Sequence, residues 1–229
     1  MSRDSFAALR QHMIMEIAAQ TIYVSAQIGK AALAAPVMEI MGSVPRHEFV
    51  PIEIQPFAYA NTPLPIGFDK TISQPFIVAL MTDLLDLHPT DIALEIGTGL
   101  GYQAAILAKL VQKVYSVELI EELATQAKQR FDRMRYDNIE QKIGNGYYGW
   151  PEHAPFDRII VTAAPDLIPP ELINQLKPGG KMVIPSGIPG AQQLMLVIKA
   201  TDGKLTIKEV LPVRFSELDG AAPSGADGS

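Results

Sequence analysis

The sequence predicts an α/β fold: a Rossmann-like, doubly wound, mostly parallel sheet with an N-terminal helical segment and a C-terminal antiparallel hairpin. Three observations predict it. From residue 91 onward, short apolar runs alternate with helical repeats, which is the pattern of βα units. The first of these runs, IALEI (92–96), leads directly into a glycine turn, GTGLG (97–101), and then into a helical period. Near the end, two strand-like runs flank Asp202-Gly203, a hairpin signal.

The elements follow in order. Residues 5–43 carry apolar side chains at helical spacing, such as Phe6, Leu9, Met13 and Ile17, and read as two or three helices. Pro45, Pro51, Pro56, Pro63 and Pro65 then exclude a long regular element, so 44–75 is expected to be a long ordered loop with a functional role. FIVALMTDLLDL (76–87) resumes the helical period. IALEI is a buried strand, 101–111 a helix, and KVYSVE (113–118) a second strand. A helix follows with Leu119, Leu123, Ala127 and Phe131 on one face. IEQKIG (139–144) and DRIIVTA (157–163) are the third and fourth strands. PPELINQL (169–176) is a proline-opened helix that KPGG is expected to terminate, and KMVIPS (181–186) is the fifth strand. QLMLVIKA (193–200) and KLTIKEVLPV (204–213) form the hairpin. The 229 residues divide into an N-terminal helical and substrate-side portion (1–75), a cofactor-binding core (76–219) and a small, polar, disordered tail (220–229).

Composition narrows the function. The chain has no cysteine, which excludes disulfides and thiolate metal sites. His12, His47, His88 and His153 lie far apart without metal-ligand spacing, so no metal is expected. A net charge of −6 argues against a nucleic-acid protein. The N-terminal apolar run is broken by Arg3, Asp4, Arg10, His12 and Glu16, giving neither a membrane span nor a signal peptide. The expected compartment is the cytoplasm.

The glycine turn points to a class of ligand. Gly97, Gly99 and Gly101 form GxGxG, and Tyr102 stands where a dinucleotide fingerprint needs its third glycine. No Lys-Ser or Lys-Thr follows, so the turn is not a P-loop. Glu95 precedes the turn, and Glu118 ends the next strand, where a carboxylate is placed to accept both hydroxyls of a ribose. Nothing basic in the turn would hold a diphosphate. A nucleoside-like, phosphate-free, cationic ligand such as S-adenosylmethionine fits better, with Glu95 near its ammonium or sulfonium end, directly or through water. An NAD-dependent enzyme remains a weaker alternative.

The chain resembles the protein-L-isoaspartate O-methyltransferase family over nearly its whole length. The matching segments are VPRHEFVP (44–51), PLPIG (63–67), TISQP (71–75), LEIGTGLGYQ (94–103), PFD with IIVTAAP (155–165), LINQLKPGGKMVIPSG (172–187) and VRF (213–215). The resemblance implies methyl transfer from S-adenosylmethionine to the free carboxylate of L-isoaspartyl residues in damaged proteins. It implies that Ser73 orients that carboxylate. It implies a cofactor set of Lys70, Thr71, Ile72, Glu95, Gly97, Thr98, Gly99, Glu118, Leu119, Asn145 and Gly146. The expected partners are isoaspartyl peptides and proteins, with no nucleic acid and no membrane, and the expected state is a monomer. Ser73 could instead cap the helix that starts beside it. Asn145 stands where the family usually has Asp, its amide oxygen placed for an adenine amine. Asp69-Lys70 and Ser216-Glu217-Leu218 also depart from the usual pattern, at the substrate side. Trp150, Tyr147 and Tyr148 are expected to pack beside their loop. Two other functions stay open on the residues alone: a methyltransferase for another peptide or small-molecule carboxylate, and a non-catalytic cofactor-binding adaptor.

Overall fold

The computed structural model describes residues 6–221, so most of the expected C-terminal tail lies outside the described residues. Helices α1 (Ala7–Tyr23), α2 (Ser25–Ile28) and α3 (Ala35–Ser43) come first, as the apolar spacing predicts. The segment 44–75 is a correction. In place of a plain loop it holds two 3-10 turns, 46–49 and 52–57, and an antiparallel hairpin of β1 (Leu64–Gly67) and β2 (Lys70–Ile72). Proline forbids an α-helix interior but not a short edge strand, where its missing N–H is harmless, and Pro65 sits in β1 opposite Thr71.

Helix α4 (Pro75–Leu84) opens on proline, whose fixed φ suits the first helical position. The core then alternates: β3 (Ile92–Ile96), α5 (Tyr102–Ala108), β4 (Lys113–Glu118), α6 (Glu121–Met134), β5 (Ile139–Ile143), β6 (Phe156–Val161), α7 (Pro170–Gln175), β7 (Leu176–Ser186), β8 (Gln193–Lys199) and β9 (Leu205–Pro212). Helix α6 begins with Glu121 and Glu122, whose charges favour its N-terminal dipole. Leu123, Ala127 and Phe131 face its buried side, whereas Leu119 lies before the helix and is 40 % exposed, which corrects the four-residue face. KPGG is a second correction. The helix already ends at Gln175, and 177–180 bulge within β7 between the pairs Phe156–Leu176 and Arg158–Lys181. A Cβ on Gly180 would stand 2.8 Å from the Asp157 carbonyl, so the bulge packs backbone on backbone.

The seven-stranded sheet has the order β5-β4-β3-β6-β7-β8-β9. Its first five strands are parallel, and β8 and β9 add antiparallel to one edge. Strands buried on both faces read as continuous apolar runs, which is why IALEI was legible. One face, with Ala93, Val114, Ile160 and Val183, packs under α1, α3, α4, α5 and α6. The other, with Leu94, Ile96, Ile159 and Met182, packs on Leu172 and Trp150. From β3 the chain moves outward through β4 and β5, then crosses back to β6. The crevice beyond the C-terminal ends of β3, β4 and β6 is therefore the switch point where such sheets bind ligands. Among the described residues, no helix is long and apolar enough to cross a membrane.

Candidate active site

A cavity of about 640 Å³ opens at that switch point. Its floor is Ile96 and Gly97 after β3, Val117 and Glu118 at the end of β4, and Thr162 and Ala163 after β6. The far wall comes from Ser73 and Gln74, from Gln20, Val24 and Gln27 of the N-terminal helical segment, and from the end of β9 with the segment 213–219 that follows it.

The three glycines of the turn do different work. All have left-handed φ: 92° at Gly97, 55° at Gly99 and 96° at Gly101. A Cβ on Gly97 would meet Thr162 Oγ1 at 2.5 Å, and one on Gly101 would meet the Phe131 ring at 2.5 Å. Those two glycines let β6 and α6 approach the turn. Gly97 and Gly99 line the cavity, and Thr162 Oγ1 locks the turn by donating to the Gly97 carbonyl at 2.6 Å.

The two carboxylates part company. Glu118 lies on the cavity wall, where its Oε2 accepts the Gly99 N–H at 2.7 Å and its Oε1 accepts the Ile120 N–H at 3.0 Å. Glu95 is fully buried and does not line the cavity. Strand alternation sends its side chain toward α5, so that Ile96, not Glu95, faces the ligand space. Ser116 Oγ hydrogen-bonds Glu95, and Thr98 Oγ1 meets Ser116 Oγ at 2.6 Å, forming a chain behind the turn. Glu95 therefore stands behind the turn and not on the cavity wall, which does not place it for direct contact with a ligand there.

Burial pushes the Glu95 carboxyl up to about 8, opposed by the bond from Ser116, with the Glu118 charge adding to the rise. The folded chain thus keeps a proton that the unfolded chain sheds above the ordinary value of 4.5. Stability from this group is fully present below that value and is lost as pH rises toward about 8. Glu95→Gln, which cannot titrate, should gain on the wild type in melting temperature between about pH 5 and 8, by roughly 10 °C. A difference in melting temperature that stays constant across that range would overturn the assignment.

At the other end, Ser73 follows β2 and lines the cavity. Its hydroxyl does not cap α4, whose N-cap is Gln74 with no side-chain cap bond. The Phe76 N–H is instead served by Asn61 Oδ1 at 3.0 Å. This corrects the helix-cap reading of Ser73. Gln74 Nε2 donates to the Asn61 carbonyl at 2.9 Å and to Gln20 Oε1 at 3.1 Å, which fixes the residue next to Ser73. Lys70 points along the wall to Asp219, with Nζ 2.6 Å from its carboxylate, joining the β1–β2 hairpin to the C-terminal segment. That segment is also tied to the sheet end, where the Ala164 N–H donates to the Ser216 carbonyl and the Leu218 N–H to the Ala164 carbonyl, each at 2.9 Å.

Residues 11–222 match the family profile of Protein-L-isoaspartate(D-aspartate) O-methyltransferase. The chain belongs to the protein-L-isoaspartate O-methyltransferase family. It is 65 % identical over 223 residues to protein-L-isoaspartate O-methyltransferase 1 of Polaromonas sp. strain JS666, covering 97 % of this chain and 94 % of that protein. It is 55 % identical over 218 residues to protein-L-isoaspartate O-methyltransferase 2 of Syntrophobacter fumaroxidans, covering 95 % and 88 %. A solved protein-L-isoaspartate O-methyltransferase superposes with a TM-score of 0.74 at 28 % identity, covering 90 % of this chain and 66 % of that one. The fold is shared with a Plasmodium falciparum beta-aspartate methyltransferase in complex with S-adenosyl-L-homocysteine, with a TM-score of 0.73 at 23 % identity, covering 89 % and 97 %.

The methyl donor of this methyltransferase family, S-adenosylmethionine, fits the residues present. Each Glu118 oxygen spends one lone pair on a backbone N–H and keeps another for a hydroxyl. Ile96, Val117, Leu119, Ile120 and Leu123 give the apolar wall a nucleoside needs, and no Lys or Arg stands in the turn. Of the expected cofactor set, Lys70, Thr71, Gly97, Gly99, Glu118, Leu119 and Gly146 line the cavity. Ile72 is buried beside an adjoining recess, and Thr98 and Glu95 lie behind the turn. Asn145 Oδ1 accepts the Tyr147 N–H at 3.0 Å, and its Nδ2 donates to the Ala221 carbonyl at 2.8 Å. The oxygen expected to reach an adenine amine spends one lone pair on this local turn and keeps the other.

Trp150 packs edge-on against Tyr115 with ring centroids 5.4 Å apart and stays off the cavity wall, as expected. None of the four histidines lines the cavity; His47, for example, stacks on Phe6 at 4.0 Å. Among the described residues there is no cluster of three metal-ligating side chains. Gln20 and Gln27 are wall residues that sequence reasoning missed, because a glutamine on a helix carries no signal until the helix is placed.

Proposed function

We propose that this chain is a protein-repair enzyme that transfers the methyl group of S-adenosylmethionine to the free carboxylate of L-isoaspartyl residues. The observation that carries the reading is the single cavity that runs from Glu118 and the glycine turn to Ser73. A cofactor held at one end and a carboxylate held at the other share one chamber.

When bound, S-adenosylmethionine supplies an activated methyl group. The chain's own task is to bind, orient and exclude water. Glu118 holds the ribose hydroxyls, and Gly97 and Gly99 let the backbone close on the cofactor. Leu119 and Gly146 line the nucleoside end, while Thr98 and Glu95 brace the turn from behind. Lys70, Thr71 and Ile72 supply the hairpin wall between cofactor and substrate. Asn145 keeps Gly146 in place through its turn. The Ser73 hydroxyl donates to one oxygen of the substrate carboxylate and so aims the other. A carboxylate is ionised at pH 7 and needs no general base.

Residues 1–75 serve as the substrate-side portion and 76–219 as the cofactor core. The proposal also takes the enzyme as a cytoplasmic monomer that binds neither nucleic acid nor membrane. The cysteine-free composition supports the compartment, and the net charge of −6 supports the lack of affinity for phosphate.

The test uses radiolabelled S-adenosylmethionine and matched peptides. An isoaspartyl peptide should accept the methyl group and its aspartyl twin should not. The single-turnover rate should stay flat from about pH 6 to 7.5, above any carboxylate titration. Equal labelling of both peptides, or a rate rising through a midpoint near pH 7, would point to another substrate class.

A further inference from the structure

Arg46 is fully buried, yet among the described residues no carboxylate pairs with it. Its Nε donates to the Ala58 carbonyl at 2.7 Å, and its Nη2 donates to the Ser73 carbonyl at 2.7 Å. The guanidinium lies 4.8 Å from the Tyr102 ring centroid, and among the described residues Nη1 has no hydrogen-bond partner. Burial lowers its pKa to about 10, so it remains a cation at pH 7. A buried cation without an ion pair is a costly way to fill space, and an apolar side chain of the same volume would fill it more cheaply.

The contacts show what the guanidinium does there. It reaches across from the 3-10 turn 46–49 and grips the backbone at Ser73. The next residue, Gln74, is held through Asn61 and Gln20. The backbone around Ser73 is therefore pinned on two sides, while Ser73 lines the cavity and its hydroxyl does not cap the helix. A serine oxygen takes one of three staggered positions about a single bond, so where the backbone sits fixes the few places the hydroxyl can reach.

We propose that Arg46 is a positioning residue for methyl transfer: its bond to the Ser73 carbonyl sets the direction in which the Ser73 hydroxyl meets the substrate carboxylate. The inference rests on the reading of Ser73 as the group that orients that carboxylate. Arg46 acts through Ser73 and touches neither cofactor nor substrate.

A double-mutant cycle tests it. Arg46→Lys keeps the charge but lacks the planar fork that reaches two carbonyls at once. Arg46→Met keeps the volume and loses both bonds. Each should lower the single-turnover rate by about 10- to 100-fold, with affinity for S-adenosylmethionine held within about twofold. In a Ser73→Ala background, either Arg46 change should slow the reaction by no more than about twofold further, because residues acting as a unit are not additive. Melting temperatures, in contrast, should fall by amounts that simply add. A merely structural Arg46 would shift melting and leave the rate near wild type, which would overturn the proposal. Rate losses that multiply in the double variant would overturn it too. If neither Arg46 variant folds at low temperature, the residue holds the fold rather than the serine, and the proposal is overturned. A wild-type rate for Ser73→Ala alone would instead remove the reading on which the inference rests.

Discussion

Glu118→Ala is expected to weaken S-adenosylmethionine binding by about 10- to 1000-fold. Two charge-assisted hydrogen bonds to the ribose are lost, each contributing roughly 1.5–3 kcal/mol, and part of that is recovered by water entering the cavity. The structure adds a second loss that the sequence did not disclose. The carboxylate also accepts the N–H groups of Gly99 and Ile120, so its removal frees the glycine turn and the start of α6 together. Glu118→Gln tests whether side-chain size alone can hold the turn. Its amide keeps one acceptor oxygen and replaces the other with a donor, which meets a backbone N–H head-on. The glutamine variant should therefore bind little better than the alanine variant, although it keeps the size of the side chain. Calorimetric titration of both, with thermal melts as the control for folding, decides the matter. An unchanged affinity in either variant would put the ribose somewhere other than beside Glu118.

Much of this architecture was legible because its signals are local. IALEI and KVYSVE form β3 and β4 with the bounds their apolar runs suggest, since a parallel strand buried on both faces has little choice of composition. Two features were illegible for equally physical reasons. The hairpin β1–β2 turns through Phe68-Asp69, both with left-handed φ, 54° and 55°. Such a turn normally announces itself as Asn-Gly or Asp-Gly, and GFDK carries neither. KPGG has the composition of a helix stop and serves as a strand bulge, because its partner Asp157 lies twenty residues or so upstream and is invisible to any local window.

The site divides along the same line. The glycine turn and Glu118 are one local motif, and both reach the cavity. Glu95 belongs to that motif too, but whether a strand side chain faces the ligand or the helix depends on which face of the sheet each helix covers. The departures at Asp69-Lys70 and at Ser216-Glu217-Leu218 read in the sequence as separate changes at the substrate mouth. In space the two segments meet: Lys70 pairs with Asp219, and its Nζ reaches the Glu217 carbonyl at 3.5 Å. A pair of residues 149 positions apart (219 against 70) leaves no trace in a single sequence. Arg46 was legible only as part of a matching segment, because its partners are carbonyl groups, which every residue has.

Ser73→Ala should leave a folded enzyme that binds S-adenosylmethionine normally and methylates isoaspartyl peptide about 10- to 1000-fold more slowly. From sequence alone this change carries two possible costs, since a serine beside the start of a helix can cap it, at about 1 kcal/mol. The structure removes the first cost. Helix α4 takes Gln74 as its N-cap without a side-chain bond, and Asn61 serves the Phe76 N–H. The melting temperature should then move by no more than about 2 °C. The proposed cofactor end of the cavity is formed by Gly97, Gly99 and Glu118, none of which the substitution touches, so cofactor affinity should hold within about twofold. What remains is the proposed orienting bond to the substrate carboxylate. Without it the oxygen is still ionised and still nucleophilic, but it is no longer aimed, so the loss should fall on turnover more than on peptide KM. Ser73→Thr keeps a hydroxyl and should recover part of the rate if the added methyl fits the wall. The decisive measurement is the single-turnover rate with saturating cofactor, taken beside the melt and the titration on one preparation. A wild-type rate with a lowered melting temperature would make Ser73 structural after all, and would leave the aiming of the carboxylate to some other donor on the wall, with Gln20, Gln27 and Gln74 the first to examine.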